Sequence, residues 1–211
     1  MNFSNMGSGS KNKLGALNLE KLSDGLVLNL DKEAGKSVVH ARFGLAWQPT
    51  LAGAKVDLDV SAIAEHVGTH APETLDDVIF YNTPSTSKCW TYAEYSGDDR
   101  DGSGHDGDDD DEFITFDLSK VPQDIEAIKC IVTIYLGAEK RQTLATAQSR
   151  VKIFDEDTNV LLKEYNLNKE DSLQYSTGVV LGKFIRKPTG WVFQGIGEGF
   201  EGDLNTIVGA Y

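Results

Sequence analysis

Hydrophobic and polar residues alternate along most of the chain with a period of two, which is typical of half-buried β-strands. The alternation is clear in "VVHARFGLAW", and turn-forming stretches such as "KEAGK", "DEDTN" and "KPTG" separate many of the segments that show it. The other predicted strands are "GLVLNLD", "KVDLDVSAIA", "VIFY", "CWTYAEY", "EFITFDL", "KCIVTIYL", "SRVKIFDE", "NVLLKEY", "YSTGVVLGKFIR" and "GWVFQGIGEGF". So many short strands predict a mainly β protein, an antiparallel β-sandwich.

Helical patterns are few and short, and they predict one or two short helices in the sandwich. "LSKVPQDIEAI" offers Ser119 as an N-cap and Pro122 near a first turn, so it is a helix candidate. "KRQTLATAQ" is a second candidate, and the C-terminal "DLNTIVGAY" is expected to add a turn or two.

A chain of 211 residues with 40% hydrophobic residues is expected to form one domain. The first thirteen residues are rich in Asn, Ser and Gly, which predicts a flexible leader over residues 1–20 and a domain over residues 21–211. No apolar run is long enough to cross a bilayer, so a cytoplasmic protein that does not span a membrane is expected. Cys89 and Cys130 lie far apart beside apolar residues, and we expect both to be buried thiols.

The chain is acidic, with a formal net charge of −13. Proteins bind the phosphate backbone of nucleic acids through clustered Lys and Arg. No basic block occurs in the sequence, so a nucleic-acid partner is not expected.

The most unusual segment is "SGDDRDGSGHDGDDDDE", residues 96–112, in which nine carboxylates accompany a single arginine, Arg100. A run of like charges is often a solvated, self-repelling loop. Two features favour a cation-binding loop instead. Glycines are interleaved with the acids, which allows tight turns, and predicted strands flank the segment closely on both sides.

A second acidic element strengthens the cation hypothesis. Asp57 and Asp59 are two residues apart on a predicted strand, so both side chains leave the same face of the sheet. Carboxylates and carbonyls without clustered His or Cys favour calcium, with magnesium second. The acids do not fit the spacing of an EF-hand loop, whether Gly102 or Gly107 is taken as its central glycine.

Other chemistry has weaker support in the sequence. "GIGEGFEG" resembles a phosphate-binding glycine loop, but it lacks a βαβ context and is more simply a glycine-rich strand. A metal-dependent hydrolase would need a positioned base or nucleophile, and no such set stands out. Arg141, Arg150 and Arg186 are candidates for receiving a phosphate, although solvation of the surface explains them equally.

In order along the chain, several motifs resemble those of the TerD domain family of tellurite-resistance and bacterial stress proteins. "FGLAWQP" is similar to the family's G-L-G-W-D, "VDLDVSAI" to F-D-L-D-A-S-A-F, and "VIFYN" to F-V-F-Y-N. The acidic segment stands where the family has S-G-D-N-R-T-G-E-G-E-G-D-D-E, and "GWVFQGIGEGFEGDL" resembles its closing motif. The chain departs from the pattern at Gln48, where the family has aspartate, and at Asp99, where it has asparagine.

The resemblance implies a non-catalytic β-sandwich that binds one or two calcium ions and acts as an adaptor or sensor in tellurite resistance or stress. Its partners would be other proteins, such as Ter-type stress proteins near the inner membrane surface. Two alternatives remain open: an interaction subunit of a larger membrane-associated or phage-related assembly, and a cyclic-nucleotide-binding module. Carried over by position, the implied metal ligands are Asp57, Asp59, Asp98, Asp99, Gly102 (through its carbonyl), Asp106, Asp110, Asp111 and Glu112.

Overall fold

The computed structural model describes residues 27–31, 35–50, 55–102 and 109–211, so the predicted leader over residues 1–20 lies outside the described residues. Within these ranges eleven strands form two antiparallel sheets. The strands are β1 (Val27–Asn29), β2 (His40–Pro49), β3 (Leu58–His66), β4 (Val78–Ile79), β5 (Ala93–Tyr95), β6 (Glu112–Asp117), β7 (Ile125–Ile134), β8 (Ala147–Asp155), β9 (Val160–Asn166), β10 (Gly178–Lys187) and β11 (Gly190–Phe200).

The first sheet has six strands in the order β1-β11-β10-β7-β3-β4, and the second has five in the order β5-β6-β2-β8-β9. Alternate side chains of both sheets meet in one apolar core, in which Phe43 and Trp47 of β2 lie with Leu58 of β3. The period-two pattern has therefore placed one face of each sheet inward, as a sandwich requires. The predicted fold class is confirmed.

All eleven strand segments predicted from the alternation contain a strand. The main difference lies in "CWTYAEY", whose first half forms a 3-10 helix, Lys88–Thr91, before β5 begins. Both cysteines are buried free thiols, as expected.

Two of the three helix predictions are wrong. Ser119 caps no helix: its backbone and hydroxyl both donate to Asp117, and the chain turns before β7 begins at Ile125. This segment becomes a central strand because it pairs with both β3 and β10, and burial between two neighbours outweighs a local helix signal. In "KRQTLATAQ", helix α1 (Gly137–Lys140) ends where the prediction begins, and most of the segment forms a 3-10 helix, Leu144–Thr146, and the start of β8.

The third helix prediction is confirmed by helix α2 (Leu204–Val208), which Asp203 caps. Leu204 and Ile207 pack on the outer face of the first sheet, against a small apolar cluster that includes Ile63 and Ile131. No helix in the described ranges is long and apolar enough to cross a membrane.

Candidate metal centre

Three carboxylates converge at the end of the sandwich where β3 begins. Asp57 precedes β3 and Asp59 lies within it, while Leu58 and Val60 between and after them point into the core. Strand alternation therefore puts both acids on the outer face of the first sheet, as the sequence predicts. The strand is held there by β7, because the backbone N–H of Tyr135 donates to the carbonyl of Asp57 at 2.9 Å.

The third carboxylate comes from the acidic segment that joins β5 to β6. At the base of this segment the backbone N–H of Ser96 donates to the carbonyl of Phe113, and the Ser96 hydroxyl accepts from the backbone of Phe113. Asp98 follows two residues after Ser96. One carboxylate oxygen each from Asp57, Asp59 and Asp98 lies within 4.8 Å of the others.

Asp59 is the least solvated member of this group. It is only 4% exposed, and none of the described residues donates a hydrogen bond to its carboxylate or forms an ion pair with it. Burial, followed by the charges of Asp57 and Asp98, raises the pKa of Asp59 to about 8. A buried carboxyl without a partner is costly in its ionised form, so this position favours either a proton or a cation.

Asp57 and Asp98 are progressively more exposed to solvent than Asp59. Burial raises the pKa of Asp57, partly offset by Lys140, and one of its oxygens is buried without a hydrogen-bond partner among the described residues. Asp98 is exposed, and among the described residues it forms an ion pair with Arg100, whose Nε donates to it at 2.9 Å. The Arg100 side chain is itself 80% exposed, so this ion pair is open to competition.

Asp99 shapes the loop. Its Oδ1 accepts from the backbone N–H groups of Asp101 and Gly102, at 3.0 and 2.8 Å, which folds the chain into an Asx turn. Gly102 has φ +64°, and a Cβ there would lie 2.5 Å from the carbonyl oxygen of Trp47. Only glycine fits this turn without displacing the core tryptophan.

Glu112 connects the acidic segment to β3. It is fully buried, and its two oxygens accept from the backbone of Asp99, at 3.1 Å, and of Val60, at 3.0 Å. Burial raises its pKa to about 8, although those two hydrogen bonds act in the opposite direction. Because β6 and β3 belong to different sheets, Glu112 fixes the loop and both sheets relative to one another.

The remaining predicted ligands lie elsewhere. The carboxylate of Asp110 is buried over Gly44, 3.0 Å from Lys152 Nζ and 3.6 Å from Arg42 Nε. Asp111 accepts from the backbone N–H of Trp47 at 2.8 Å. The structure therefore brings together Asp57, Asp59 and Asp98, places Asp99, Gly102 and Glu112 in their support, and holds Asp110 and Asp111 against the second sheet. Asp106 lies outside the described residues.

The donor set suits a calcium ion. Calcium binds oxygens at about 2.3–2.6 Å, so two ligands of one ion lie at most about 5 Å apart, and three oxygens within 4.8 Å of one another can reach a single ion. All three donors are carboxylate oxygens, which argues against zinc or copper. Sequence reasoning missed Lys140, Tyr81 and Tyr135 beside the cluster, because isolated basic and aromatic residues carry no spacing signal.

Two other sequence candidates have structural roles. The glycine-rich "GIGEGF" lies in β11, which agrees with its interpretation as a strand. Arg186 stacks on Trp191 and donates to three backbone carbonyls, those of Val121, Pro122 and Ile125.

Comparison with known proteins gives consistent matches along the chain. The TerD domain family matches residues 19–211. An uncharacterized protein YceE of Bacillus subtilis is 33% identical over 196 residues, covering 90% of this chain and 96% of the relative. Tellurium resistance protein TerD of Serratia marcescens is 28% identical over 193 residues, covering 90% and 95%. General stress protein 16U of Bacillus subtilis is 31% identical over 172 residues, covering 80% and 84%.

The fold also matches solved structures. A homologue of telluride resistance protein (TerD) from Streptomyces coelicolor A3(2) superposes with a TM-score of 0.64 at 18% identity, covering 82% of this chain and 96% of the other. At this identity the match supports the fold alone.

Proposed function

The chain belongs to the TerD domain family, and from this premise we propose that it is a non-catalytic, calcium-binding adaptor or sensor in tellurite resistance or a related stress response. We further propose that it acts in the cytoplasm through other proteins, including other Ter-type stress proteins near the inner membrane surface. The tellurium-resistance and general-stress names of its relatives support the biological setting.

The observation that carries the calcium proposal is the carboxylate of Asp59, which is buried beside Asp57 and Asp98 and has no hydrogen-bond or ion-pair partner in the described part of the chain. Asp57 and Asp59 belong to the sheet, whereas Asp98 belongs to the acidic segment. A cation shared by these three groups would link the segment to β3 and offset their mutual repulsion. An acidic segment linked to β3 in this way offers a calcium-dependent surface to partners.

Thermal unfolding tests this proposal. A cation that binds the folded protein adds stability as RT ln(1 + [L]/Kd), about 2.7 kcal/mol at a hundredfold excess over Kd. We expect the melting temperature to rise by several degrees when calcium replaces EDTA, and Asp59→Asn to remove the rise. Asp76→Asn is the matched control, because Asp76 lies in the 3-10 helix Leu75–Asp77, outside the cluster. An equal rise in Asp59→Asn would refute this site.

A further inference from the structure

Large apolar side chains are exposed beside the carboxylate cluster. Tyr81, Tyr135 and Leu136, which we call the aromatic rim, are 44%, 42% and 43% exposed. The two tyrosine rings contact edge to face, with centroids 6.1 Å apart and planes at 89°. The backbone N–H of Tyr135 donates to the carbonyl of Asp57 at 2.9 Å, so the rim borders the cluster directly.

The charged groups around the rim are mainly acidic. Burial raises the pKa of Tyr81, and the charges of three aspartates add to this effect, namely Asp59, Asp98 and Asp203. Burial also raises the pKa of Asp57, and the charge of Asp99 raises it further. Two bases act in the opposite direction on Asp57, namely Lys140 and Arg100. Five carboxylates and two bases therefore meet at this end of the sandwich.

This surface is negative in each state of the cluster. With all of these groups ionised, five carboxylates against two bases leave three negative charges, and two remain if Asp59 keeps its proton. A bound divalent cation would leave one negative charge. The next charges outward do not reverse the sign, because they occur in opposite pairs, Lys55 with Asp101 at 3.9 Å and Glu139 with Arg141 in the sequence around Lys140.

Exposed tyrosine rings beside carboxylates suit a basic side chain from outside. A cation is attracted to the face of an aromatic ring, and the protein itself shows this arrangement, because Lys140 Nζ lies 5.1 Å from the centre of the Tyr135 ring. In the described part of the chain no cation lies over the ring of Tyr81. Tyr81 therefore offers an exposed ring, near the charges of Asp59 and Asp98, to a cation from a partner.

We propose that the aromatic rim and the carboxylates around it are the docking surface for a basic segment of a protein partner, and that calcium in the cluster weakens this contact. Docking itself needs only the negative surface, whereas its response to calcium rests on the calcium function proposed above. Calcium acts by removing two of the three net negative charges that attract the segment. Tyr is enriched at protein interfaces and among their energetically dominant residues. Calcium binding would therefore release the partner.

A protein segment fits this surface better than other charged partners. An anionic bilayer or a nucleic acid would be repelled both by the surface and by the whole chain, which carries a formal charge of −13. A polyamine would meet the carboxylates, but it has no apolar side chains to cover the exposed rings. A segment with both basic and apolar side chains uses both parts of the surface.

Fluorescence anisotropy with a labelled peptide in which lysine alternates with leucine tests the proposal. We expect the peptide to bind in EDTA and to bind about tenfold more weakly in calcium at matched ionic strength, within the usual range of coupling between two sites. Replacing both rim tyrosines, Tyr81→Ser with Tyr135→Ser, should weaken binding in EDTA by about tenfold or more but retain the calcium-induced rise in melting temperature.

Leu75→Ser is the matched control for the double variant. Leu75 is 72% exposed, and it lies in the same 3-10 helix as Asp77. Asp77 contacts His66, which ends β3, whereas the cluster lies where β3 begins. Leu75→Ser should therefore bind the peptide as the wild type does, in EDTA and in calcium.

Several results would overturn the docking surface while leaving calcium binding intact. These are unchanged peptide binding in the double variant, equal binding of a peptide with aspartate in place of lysine, equal binding of a peptide with serine in place of leucine, and binding in calcium as tight as in EDTA. Absence of a calcium-induced rise in the wild-type melting temperature would instead refute the calcium function and the response of docking to calcium, while docking in EDTA would stand or fall with the double variant.

Discussion

The carboxylates at the two ends of the acidic segment lie in opposite electrostatic environments. At the far end, Asp110 is buried between Lys152 and Arg42, so protein cations neutralise it. At the near end, Asp98 joins Asp57 and Asp59, and none of the described residues forms an ion pair with Asp59, the buried member of that group. Aspartate thus anchors the segment at one end and, at the other, belongs to the carboxylate cluster that we propose binds calcium. The two ends differ in whether a protein cation pairs with the buried carboxylate, and not in the number of acids.

Replacing Lys152, which pairs with Asp110 at the far end of the acidic segment, should have the largest effect on stability. Lys152 is 4% exposed in its side chain, so Lys152→Met would leave Asp110 buried with only the more distant Arg42. We expect unfolding free energy to fall by about 3 kcal/mol, measured by urea denaturation in EDTA. The exposed Lys187→Met is the control, with a change of about 0.5 kcal/mol or less. A loss in Lys152→Met no larger than in the control would mean that the far end is not an anchor.

Glu112→Gln tests the connection between the ends. Gln has one acceptor oxygen, so it cannot accept from both Val60 and Asp99, and one backbone N–H would face an amide donor. We expect a loss of about 1–3 kcal/mol and weaker calcium binding. Unchanged stability together with unchanged calcium affinity would remove Glu112 from this role.

The buried carboxyl groups of Asp59 and Glu112 predict an unusual pH dependence of stability. Burial raises the pKa of Asp59 and Glu112 to about 8, so between their unfolded values and about pH 8 the folded protein holds protons that the unfolded chain has lost. Their contribution to stability is therefore present at low pH and is lost as pH rises through about 8. In EDTA we expect the melting temperature to fall by several degrees from about pH 5 to about pH 9.

Two comparisons check the origin of this fall. Asp59→Asn, which cannot ionise at this position, should show a smaller fall than the wild type. Calcium should also flatten it, because the bound cation stabilises the ionised carboxylates. A fall of the same size in Asp59→Asn would assign the pH dependence to other groups.

Arg100→Gln should have the smallest effect. Its ion pair with Asp98 is exposed, so stability in EDTA should change by about 0.5 kcal/mol or less. Calcium affinity should rise a few-fold, because a competing cation has been removed. Weaker calcium binding in this variant would show that Arg100 supports the site rather than competes for it.

The fold and the positions of Asp57 and Asp59, two of the three clustered carboxylates, could be predicted from the sequence for the same reason. Strand alternation is a local property, so it placed the eleven strands and put Asp57 and Asp59 on one face. Wrong helix predictions arose where pairing with two neighbouring strands overrode a local signal, as in β7 after Ser119.

The roles of individual acids in residues 96–112 could not be predicted, because they depend on residues distant in sequence. Asp110 pairs with Lys152 of β8, and Glu112 accepts a hydrogen bond from the backbone of Val60 in β3. Both carboxylates are therefore held by protein groups rather than placed in the cluster. Neither partner carries a motif. The sequence alone therefore could not distinguish carboxylates that are ligand candidates from those that form turns or anchor the segment.

A calorimetric titration of calcium into the wild type, Asp98→Asn and Asp109→Asn tests the central claim most directly. Both aspartates are exposed members of the same segment, at its near and far ends, so neither change is expected to disturb the core. The account predicts saturable binding to the wild type, much weaker binding to Asp98→Asn, and wild-type affinity in Asp109→Asn. Equal affinities in all three proteins, or no binding to the wild type, would contradict it.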